Sequence, residues 1–331
     1  MNYKESKQIL EEIKKANRIL LNCHRSPDPD SIGSALALSY VLELLGKLVD
    51  IICPSETLFD DVSFLKNYSS IKKDINFDTF DFNKYDLFIT LDSSSWDMVS
   101  SKKELPLPKI PIIVIDHHYT NTNYGLVNLI DKNVSSTGEM LYLLFKDLEF
   151  DVDADTATAL LTGIIGDTGI FKYPNTSIKV FKIAYELMKK GAKRDLIISS
   201  VYRSYDYNLI KFNGEALLHT RLDKQNKFIY SAISYEMYSD LGKPKNAKEV
   251  AADLFAQITR GTNFGFMALE TEKGKLSISL RARGSFDTSK IALALGGGGH
   301  PAASGAKIEG LPFDKAVKKV LQVARKFAKK G

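Results

Sequence analysis

Eight residues of the kinds that bind metals or move protons fall at four places in the chain. His24, Asp28 and Asp30 lie in His24-Arg25-Ser26-Pro27-Asp28-Pro29-Asp30-Ser31; Asp92 precedes Ser93-Ser94-Ser95; Asp116-His117-His118 form a triplet; and Asp167 lies in Gly166-Asp167-Thr168-Gly169. Each has an ordinary use by itself: Asp30 as a helix N-cap, Asp92 as a turn residue, Asp167 as a helix terminator, either histidine as a core residue with a hydrogen bond. Gathered in one place they do not, because clustered carboxylates repel strongly unless cations sit between them. Mixed imidazole and carboxylate donors suit Mn²⁺, Mg²⁺ and related divalent ions. His, Asp and Asp at i, i+4 and i+6, in a loop stiffened by Pro27 and Pro29, can face two neighbouring ions. Two such ions ~3.5–4 Å apart lower the pKa of a shared water and clamp a phosphoryl group during in-line attack, so the chemistry is phosphoester hydrolysis.

Convergence of the four places requires a scaffold, and the first half of the chain supplies its signature. Apolar runs at 18–22, 48–53, 87–91 and 112–115 do not alternate with polar residues, as expected of parallel strands buried on both faces. Helical spacing of Ile9, Leu10, Ile13 and Ala16 precedes the first run, and helices are expected at 35–45 (closed by Gly46), 136–148, 154–165 and 177–190 (stopped by Gly191). Ser136-x-x-Glu139 has capping-box form. The pattern predicts an α/β domain: a parallel sheet with helices on both faces. Ligands of such sheets bind outside the carboxyl ends of the strands, where three of the runs lead into His24, Asp92 and Asp116.

After Gly191 a polar, tyrosine-rich segment without strand pattern marks a boundary, giving a catalytic domain at 1–192, a linker at 193–212 and a smaller α+β domain at 213–331. Strands are expected in that domain at 228–233, 264–270 and 276–281, with a Lys273-Gly274 turn, then a glycine run and a terminal helix. Successive amides at Gly297, Gly298 and Gly299 can close on phosphate oxygens, with Arg281 and His300 supplying donors and charge. The Lys and Arg cluster at 318–330 alternates with Val317, Val320, Leu321, Ala324 and Phe327, which reads as a solvated amphipathic helix.

Composition bounds these readings. The 331 residues suit two domains, and 44% apolar with 26% charged residues is globular, excluding disordered and collagen-like classes. No stretch approaches the ~18 apolar residues of a spanning helix and the start carries no apolar signal core, so a chain that is neither exported nor membrane-bound is expected. Cys23 and Cys53, both inside apolar runs, fit a reducing cytoplasm. A net charge of +5, from 45 Lys and Arg against 40 Asp and Glu, favours anionic ligands without implying a surface that coats long duplex nucleic acid.

His24-x-x-x-Asp28-x-Asp30-Ser31-x-Gly33, Asp92, Asp116-His117-His118 and Gly166-Asp167-Thr168-Gly169 follow the order and spacing of the DHH phosphoesterase family, which the chain resembles. Ser279-Leu280-Arg281 and Gly296-Gly297-Gly298-Gly299-His300-Pro301-Ala302-Ala303-Ser304-Gly305 are similar to its associated C-terminal domain. Size and motif pairing most resemble the bifunctional oligoribonucleases, or nanoRNases, which release nucleoside monophosphates from very short RNA and dephosphorylate 3′-phosphoadenosine 5′-phosphate. The resemblance implies two divalent ions, Mn²⁺ ahead of Mg²⁺ or Co²⁺. One is assigned to His24, Asp28 and Asp92, the other to Asp30, Asp92, His117 and Asp167, with Asp92 bridging. It implies a supporting role for Asp116, contact of His118 with the scissile phosphate, and substrate contacts at Arg281, Gly297, Gly298, Gly299, His300 and Ser304. Ser135, Ser136 and Thr137 match a stretch near the substrate and equally suit a helix start. Ile170 and Ala282 stand where these enzymes often carry Arg and Ser.

The expected partner is short single-stranded RNA or a nucleotide, bound in a cleft between the domains, with no membrane and no long duplex; a homodimer is left open. The competing readings are a cyclic or linear dinucleotide phosphodiesterase of the same family and a non-catalytic RNA-binding protein stacking bases on Tyr202, Tyr205, Tyr207 or Phe286. Metal-dependent turnover separates the last from the others.

Overall fold

A computed structural model of the chain describes residues 2–328; Met1 and, from the basic terminal cluster, Lys329 and Lys330 lie outside the described residues. The chain divides into two compact units, residues 1–204 and 205–331.

The first unit runs α1 (Ser6–Lys15), β1 (Arg18–Asn22), α2 (Pro29–Leu44), β2 (Leu48–Ile52), β3 (Leu87–Leu91), α3 (Trp96–Ser100), β4 (Ile112–Asp116), β5 (Val127–Ile130), α4 (Thr137–Asp147), α5 (Ala154–Asp167), α6 (Ile178–Lys189) and α7 (Arg194–Tyr202). Its five strands pair in parallel in the order β2-β1-β3-β4-β5. The order reverses between β1 and β3, and such a switch point opens a crevice at the carboxyl ends of the strands.

On one face of the sheet Ile19, Leu21, Ile89, Leu91, Ile113 and Ile115 pack in one core with residues of α2, α4 and α5. The opposite face, with Leu20, Phe88, Ile112 and Val114, is covered by Trp96 and Val99 of α3 and by Phe77 and Tyr85 of an irregular segment. Helical cover of that face is thus limited to α3, and edge-on aromatic pairs such as Phe77–Trp96 (5.8 Å) and Phe88–Trp96 (6.1 Å) fill the remainder.

Helix α2 begins at Pro29 rather than at residue 35, because Asp28 and not Asp30 is its N-cap. The Asp28 carboxylate accepts from the amides of Asp30 (3.0 Å) and Ser31 (2.9 Å), and Pro29 occupies the first helical position, where a missing N–H costs nothing. Helices α2 and α5 meet at backbone distance: a Cβ on Gly33 would lie 2.5 Å from the Ala159 carbonyl oxygen. That approach carries the first turn of α2, with Asp30, into the packed interior.

The second unit contains α8 (Tyr207–Leu218), β6 (Arg221–Asp223), β7 (Phe228–Ile233), α9 (Tyr235–Asp240), α10 (Ala247–Phe255), β8 (Phe264–Glu272), β9 (Lys275–Ala282), α11 (Ser289–Ala294), β10 (Gly298–Gly299), β11 (Ala303–Glu309) and α12 (Phe313–Ala328). Its mixed sheet has the order β10-β11-β9-β8-β7-β6, with only β7–β8 parallel. Ile291 of α11 and Ala316, Val320 and Ala324 of α12 share one core with Phe266, Ile278 and Leu280; Phe212 of α8 and Ala251 and Phe255 of α10 share another with Ile229 and Met267. Along α12, Lys315, Lys318, Lys319, Arg325 and Lys326 are exposed, the amphipathic helix that the basic cluster predicts.

The segment 193–212, read as a linker, instead carries α7 and the start of α8, and the units divide at 204/205. Ile197 and Ile198 are buried in the first core, and Leu209 and Phe212 in the second. Two or three apolar anchors suffice to dock these helices, too few to stand out among polar and tyrosine residues. Among the described residues no helix is long and apolar enough to cross a membrane, and Cys23 and Cys53 are both buried as free thiols.

Candidate metal centre

At the carboxyl end of β1, His24 turns toward Asp92 at the end of β3, its Nε2 3.4 Å from Asp92 Oδ2 and 3.7 Å from Asp28 Oδ2. At the end of β4, His117 Nε2 lies 3.4 Å from Asp92 Oδ1 and 3.2 Å from Asp167 Oδ2, the last residue of α5. His118 Nδ1 is 2.7 Å from Asp116 Oδ1 and 3.7 Å from Asp92 Oδ1. Three groups of close donor atoms result: His24, Asp28 and Asp92; Asp30, His117 and Asp167; Asp92, His117 and His118. The structure thus brings together all eight residues that the sequence singles out in the first half. Asp92 adopts a left-handed backbone (φ 50°), uncommon for a residue other than glycine and the kind of strain that functional sites hold.

Asp30 is fully buried at the N-terminus of α4. Its Oδ2 accepts from the Thr137 amide (2.7 Å), and its Oδ1 from the Gly138 amide (2.9 Å) and the Ser34 hydroxyl (3.3 Å). The Thr137 hydroxyl donates to Asp92 Oδ1 at 3.2 Å. Ser136 caps α4, its Oγ accepting from the Glu139 amide at 3.0 Å; the return bond of the capping box is displaced by one residue, since Glu139 Oε2 accepts from the amide (2.8 Å) and hydroxyl (2.9 Å) of Ser135. Asn121 Nδ2 donates to Asp116 Oδ2 (2.7 Å) and to the Ser93 carbonyl (3.2 Å), holding the carboxylate that orients His118. Asn175 ties the Asp167 carbonyl (3.1 Å) to that of Ser135 (3.2 Å). Asn121, Asn175 and the amides of Thr137 and Gly138 escape sequence reasoning; the small residues Ser136-Thr137-Gly138 at a helix start were the only signal. Beyond Asp167 the chain turns through three left-handed residues, Gly169, Ile170 and Phe171, at the point where the sequence departs from the nanoRNase pattern.

The electrostatics are those of a site built for cations. Among the described residues no lysine or arginine pairs with Asp28, Asp30, Asp92, Asp116 or Asp167; the pairs they make are with histidines. Burial, reinforced by Asp92 and Asp167, pushes the Asp30 carboxyl well above the usual range. Burial, partly offset by His117 and reinforced by Asp28 and Asp92, raises Asp167 to about 6. Burial also opposes ionisation of Asp92, but His117 and His24 outweigh it and hold that carboxyl well below its usual range. Burial disfavours the charged imidazoles, yet Asp28 and Asp92 raise His24 to about 10, and Asp167 and Asp92 raise His117 to about 12. His117 Nε2 is buried without a hydrogen-bond partner. An orphaned imidazole nitrogen, facing carboxylates that protons alone neutralise, is the donor set a divalent ion fits.

A pH dependence follows. Both imidazoles hold a proton at pH 7 without an ion, and ligation needs them neutral, so ion uptake expels protons and strengthens as pH rises. Titration of metal-stripped protein with Mn²⁺ in two buffers of different ionisation enthalpy should show about one proton released per imidazole ligated, and ~10-fold tighter binding per pH unit for each proton lost. Uptake without net proton release would show that the histidines are not ligands.

In the second unit, Arg281 Nε donates to Asp253 Oδ1 of α10 (2.6 Å), and its Nη1 donates to Ser279 Oγ (2.9 Å). The glycine run forms an edge strand rather than an open loop. Gly298 and Gly299 pair with Gly305 and Ser304, while the amides of Gly296, Gly297 and His300 donate to Leu293, Ala292 and Ala303 carbonyls. A Cβ on Gly297 would lie 2.1 Å from the Gly305 oxygen, so that glycine is demanded by packing on β11, and most of the amide cradle read from the run is used by the fold. The Ser304 hydroxyl is likewise taken up by Thr288 Oγ1 at 2.9 Å.

The ring of imidazoles and carboxylates at the switch point of the sheet defines a metal-dependent phosphoesterase. Residues 18–164 match the DHH family, N-terminal domain, and residues 225–330 the DHHA1 domain; the chain belongs to the DHH phosphoesterase family. It is 28% identical over 326 residues to the bifunctional oligoribonuclease and PAP phosphatase NrnA of Thermus thermophilus, covering 98% of this chain and 94% of that one. It is 28% identical over 315 residues to the enzyme of the same name in Bacillus subtilis, covering 91% and 92% of the two chains. Its fold is also that of an exopolyphosphatase-related protein from Bacteroides fragilis, with a TM-score of 0.90, 24% identity and coverage of 98% and 96%.

Proposed function

We propose that the protein hydrolyses very short single-stranded RNA to nucleoside monophosphates and removes the 3′-phosphate of 3′-phosphoadenosine 5′-phosphate, with two divalent ions, Mn²⁺ foremost. The observation that carries this reading is the sharing of Asp92, whose Oδ2 faces His24 and whose Oδ1 faces His117, between two separate ligand groups. Relatives named for both activities, similar over nearly the whole chain, support the choice of substrates. His24, Asp28 and Asp92 would hold one ion; Asp30, Asp92, His117 and Asp167 the other. When bound, the ions supply Lewis acidity and a water activated near neutral pH. The chain's own residues do the rest. Asp116, fixed by Asn121, holds the His118 ring by Nδ1, which leaves Nε2 free to donate to a phosphate oxygen. Arg281, aligned by Asp253 and Ser279, grips the substrate away from the scissile bond together with His300.

The test is a Mn²⁺-dependent assay on dinucleotides, ~24-mers, 3′-phosphoadenosine 5′-phosphate and a cyclic dinucleotide side by side. Dinucleotides and the 3′-phosphate should be hydrolysed, the long strands spared and EDTA should abolish turnover. Preference for the cyclic dinucleotide would move the enzyme to the phosphodiesterase reading, and no turnover would leave an RNA-binding protein. In the same assay Arg281→Ala should lower kcat/KM on dinucleotides ~10²-fold, as the loss of charge-assisted bonds of ~1.5–3 kcal/mol implies. Bis-p-nitrophenyl phosphate, too small to need the grip, should be hydrolysed nearly as before; equal losses on both would mean that Arg281 supports the fold.

A further inference from the structure

The N-terminus of α4 touches two of the presumed ligands in different ways. It holds Asp30 by backbone amides, which no substitution but proline removes, and Asp92 by a side chain, the Thr137 hydroxyl, 3.2 Å from Oδ1. We infer that Thr137 is a positioning residue: its hydroxyl fixes the rotation of the Asp92 carboxylate, and so sets how tightly the site takes up its divalent ions. This rests on the two-ion reading of the site.

A carboxylate that would serve two ions can offer one oxygen to each, and its rotation decides which way each oxygen faces. The two Asp92 oxygens are already distinct, Oδ2 being 3.4 Å from His24 Nε2, and Oδ1 being 3.4 Å from His117 Nε2 and 3.7 Å from His118 Nδ1. The imidazole contacts at 3.4 Å are not hydrogen bonds, His117 Nε2 having no hydrogen-bond partner, and among the described residues the Thr137 hydroxyl is the side-chain donor hydrogen-bonded to that carboxylate. Thr137 is placed to fix it: it is fully buried, and its backbone is pinned by the 2.7 Å bond from its amide to Asp30. Its hydroxyl has no part in starting the helix, because the cap is made by Ser136 and Glu139. Hydrogen-bond partners of metal ligands typically change affinity ~10–100-fold when removed.

The experiment compares wild type with Thr137→Val, which keeps the shape and loses the hydroxyl, and Thr137→Ser, which keeps the hydroxyl. Metal-stripped proteins are titrated with Mn²⁺ by calorimetry, and the loaded proteins are examined by low-temperature electron paramagnetic resonance, where two bridged Mn²⁺ ions show spin coupling. Thr137→Val should bind Mn²⁺ ~10–100-fold more weakly and lose coupled signal, while Thr137→Ser stays within a few-fold of wild type. Circular dichroism in EDTA should show all three folded; Thr137→Ala is the second hydroxyl-free variant if the valine does not fold. Tight, coupled binding by a folded hydroxyl-free variant overturns the inference alone. Wild type that takes up no Mn²⁺, or a single ion, overturns the two-ion reading and the inference with it.

Discussion

Asp92→Ala is expected to abolish hydrolysis of every substrate, by ~10³-fold or more, while leaving the chain folded. The size of the effect comes from the place of Asp92 in the cluster: it lies against His24 through one oxygen and against His117 through the other, and loss of its charge removes a donor from both ligand groups at once. Folding should survive because the pairing of β3 with β1 and β4 is made by backbone groups, although alanine is less at ease than aspartate in the left-handed backbone at position 92 (φ 50°). In the ion-free protein the substitution also leaves His24 and His117 without the carboxylate that raises both, so they should titrate closer to the ordinary histidine range. Metal analysis and turnover at saturating Mn²⁺ check the prediction; retention of more than a few per cent of wild-type activity would contradict the sharing of Asp92.

Gly163→Ala should be nearly as damaging, although Gly163 is no ligand. In a helix interior alanine is favoured over glycine by about 1 kcal/mol, so propensity alone predicts a stabilised α5. Packing predicts the reverse: a Cβ at 163 would lie 2.2 Å from Asp30 Oδ1 and 3.2 Å from Asp30 Cα. Asp30 would have to leave the amides of Thr137 and Gly138, at an overpacking cost of about 1–3 kcal/mol, and with it goes a donor of one ligand group. Gly214→Ala in α8, where an added Cβ meets nothing within 4 Å, is the control and should stabilise slightly. Mn²⁺ uptake and turnover of Gly163→Ala like wild type would show that α2 and α5 do not approach this closely.

Sequence reasoning succeeds here where one residue type has one physical meaning. The strands Arg18–Asn22 and Leu87–Leu91 are found with the boundaries that their unbroken apolar runs predict, and the acids and histidines that follow them lie together because parallel strands deliver their carboxyl ends to one edge. It falls short where meaning depends on a distant partner. β5 is four residues with alternating burial at the sheet edge, too short to register as a strand. The hold of Thr137 and Gly138 on Asp30 spans more than a hundred positions and is made by backbone amides, which every residue but proline possesses. The glycines at 297–299 read as an anion loop, yet Gly297 is required by contact with Gly305 and Ala306, residues whose proximity only the sheet register defines.

The dispersal of the proposed ligands from residue 24 to residue 167 has a consequence for how the protein matures. Each ligand group joins residues from well-separated parts of the chain, so an unfolded or partly synthesised polypeptide presents no site, and binding waits on slow, non-local strand pairing. An ion that binds the native state alone stabilises it by about 2.7 kcal/mol at a free concentration a hundred times its Kd. Supply of divalent metal would then govern the lifetime of the folded enzyme as well as its turnover, and a metal-starved cell would hold less of the protein, not merely an idle form of it.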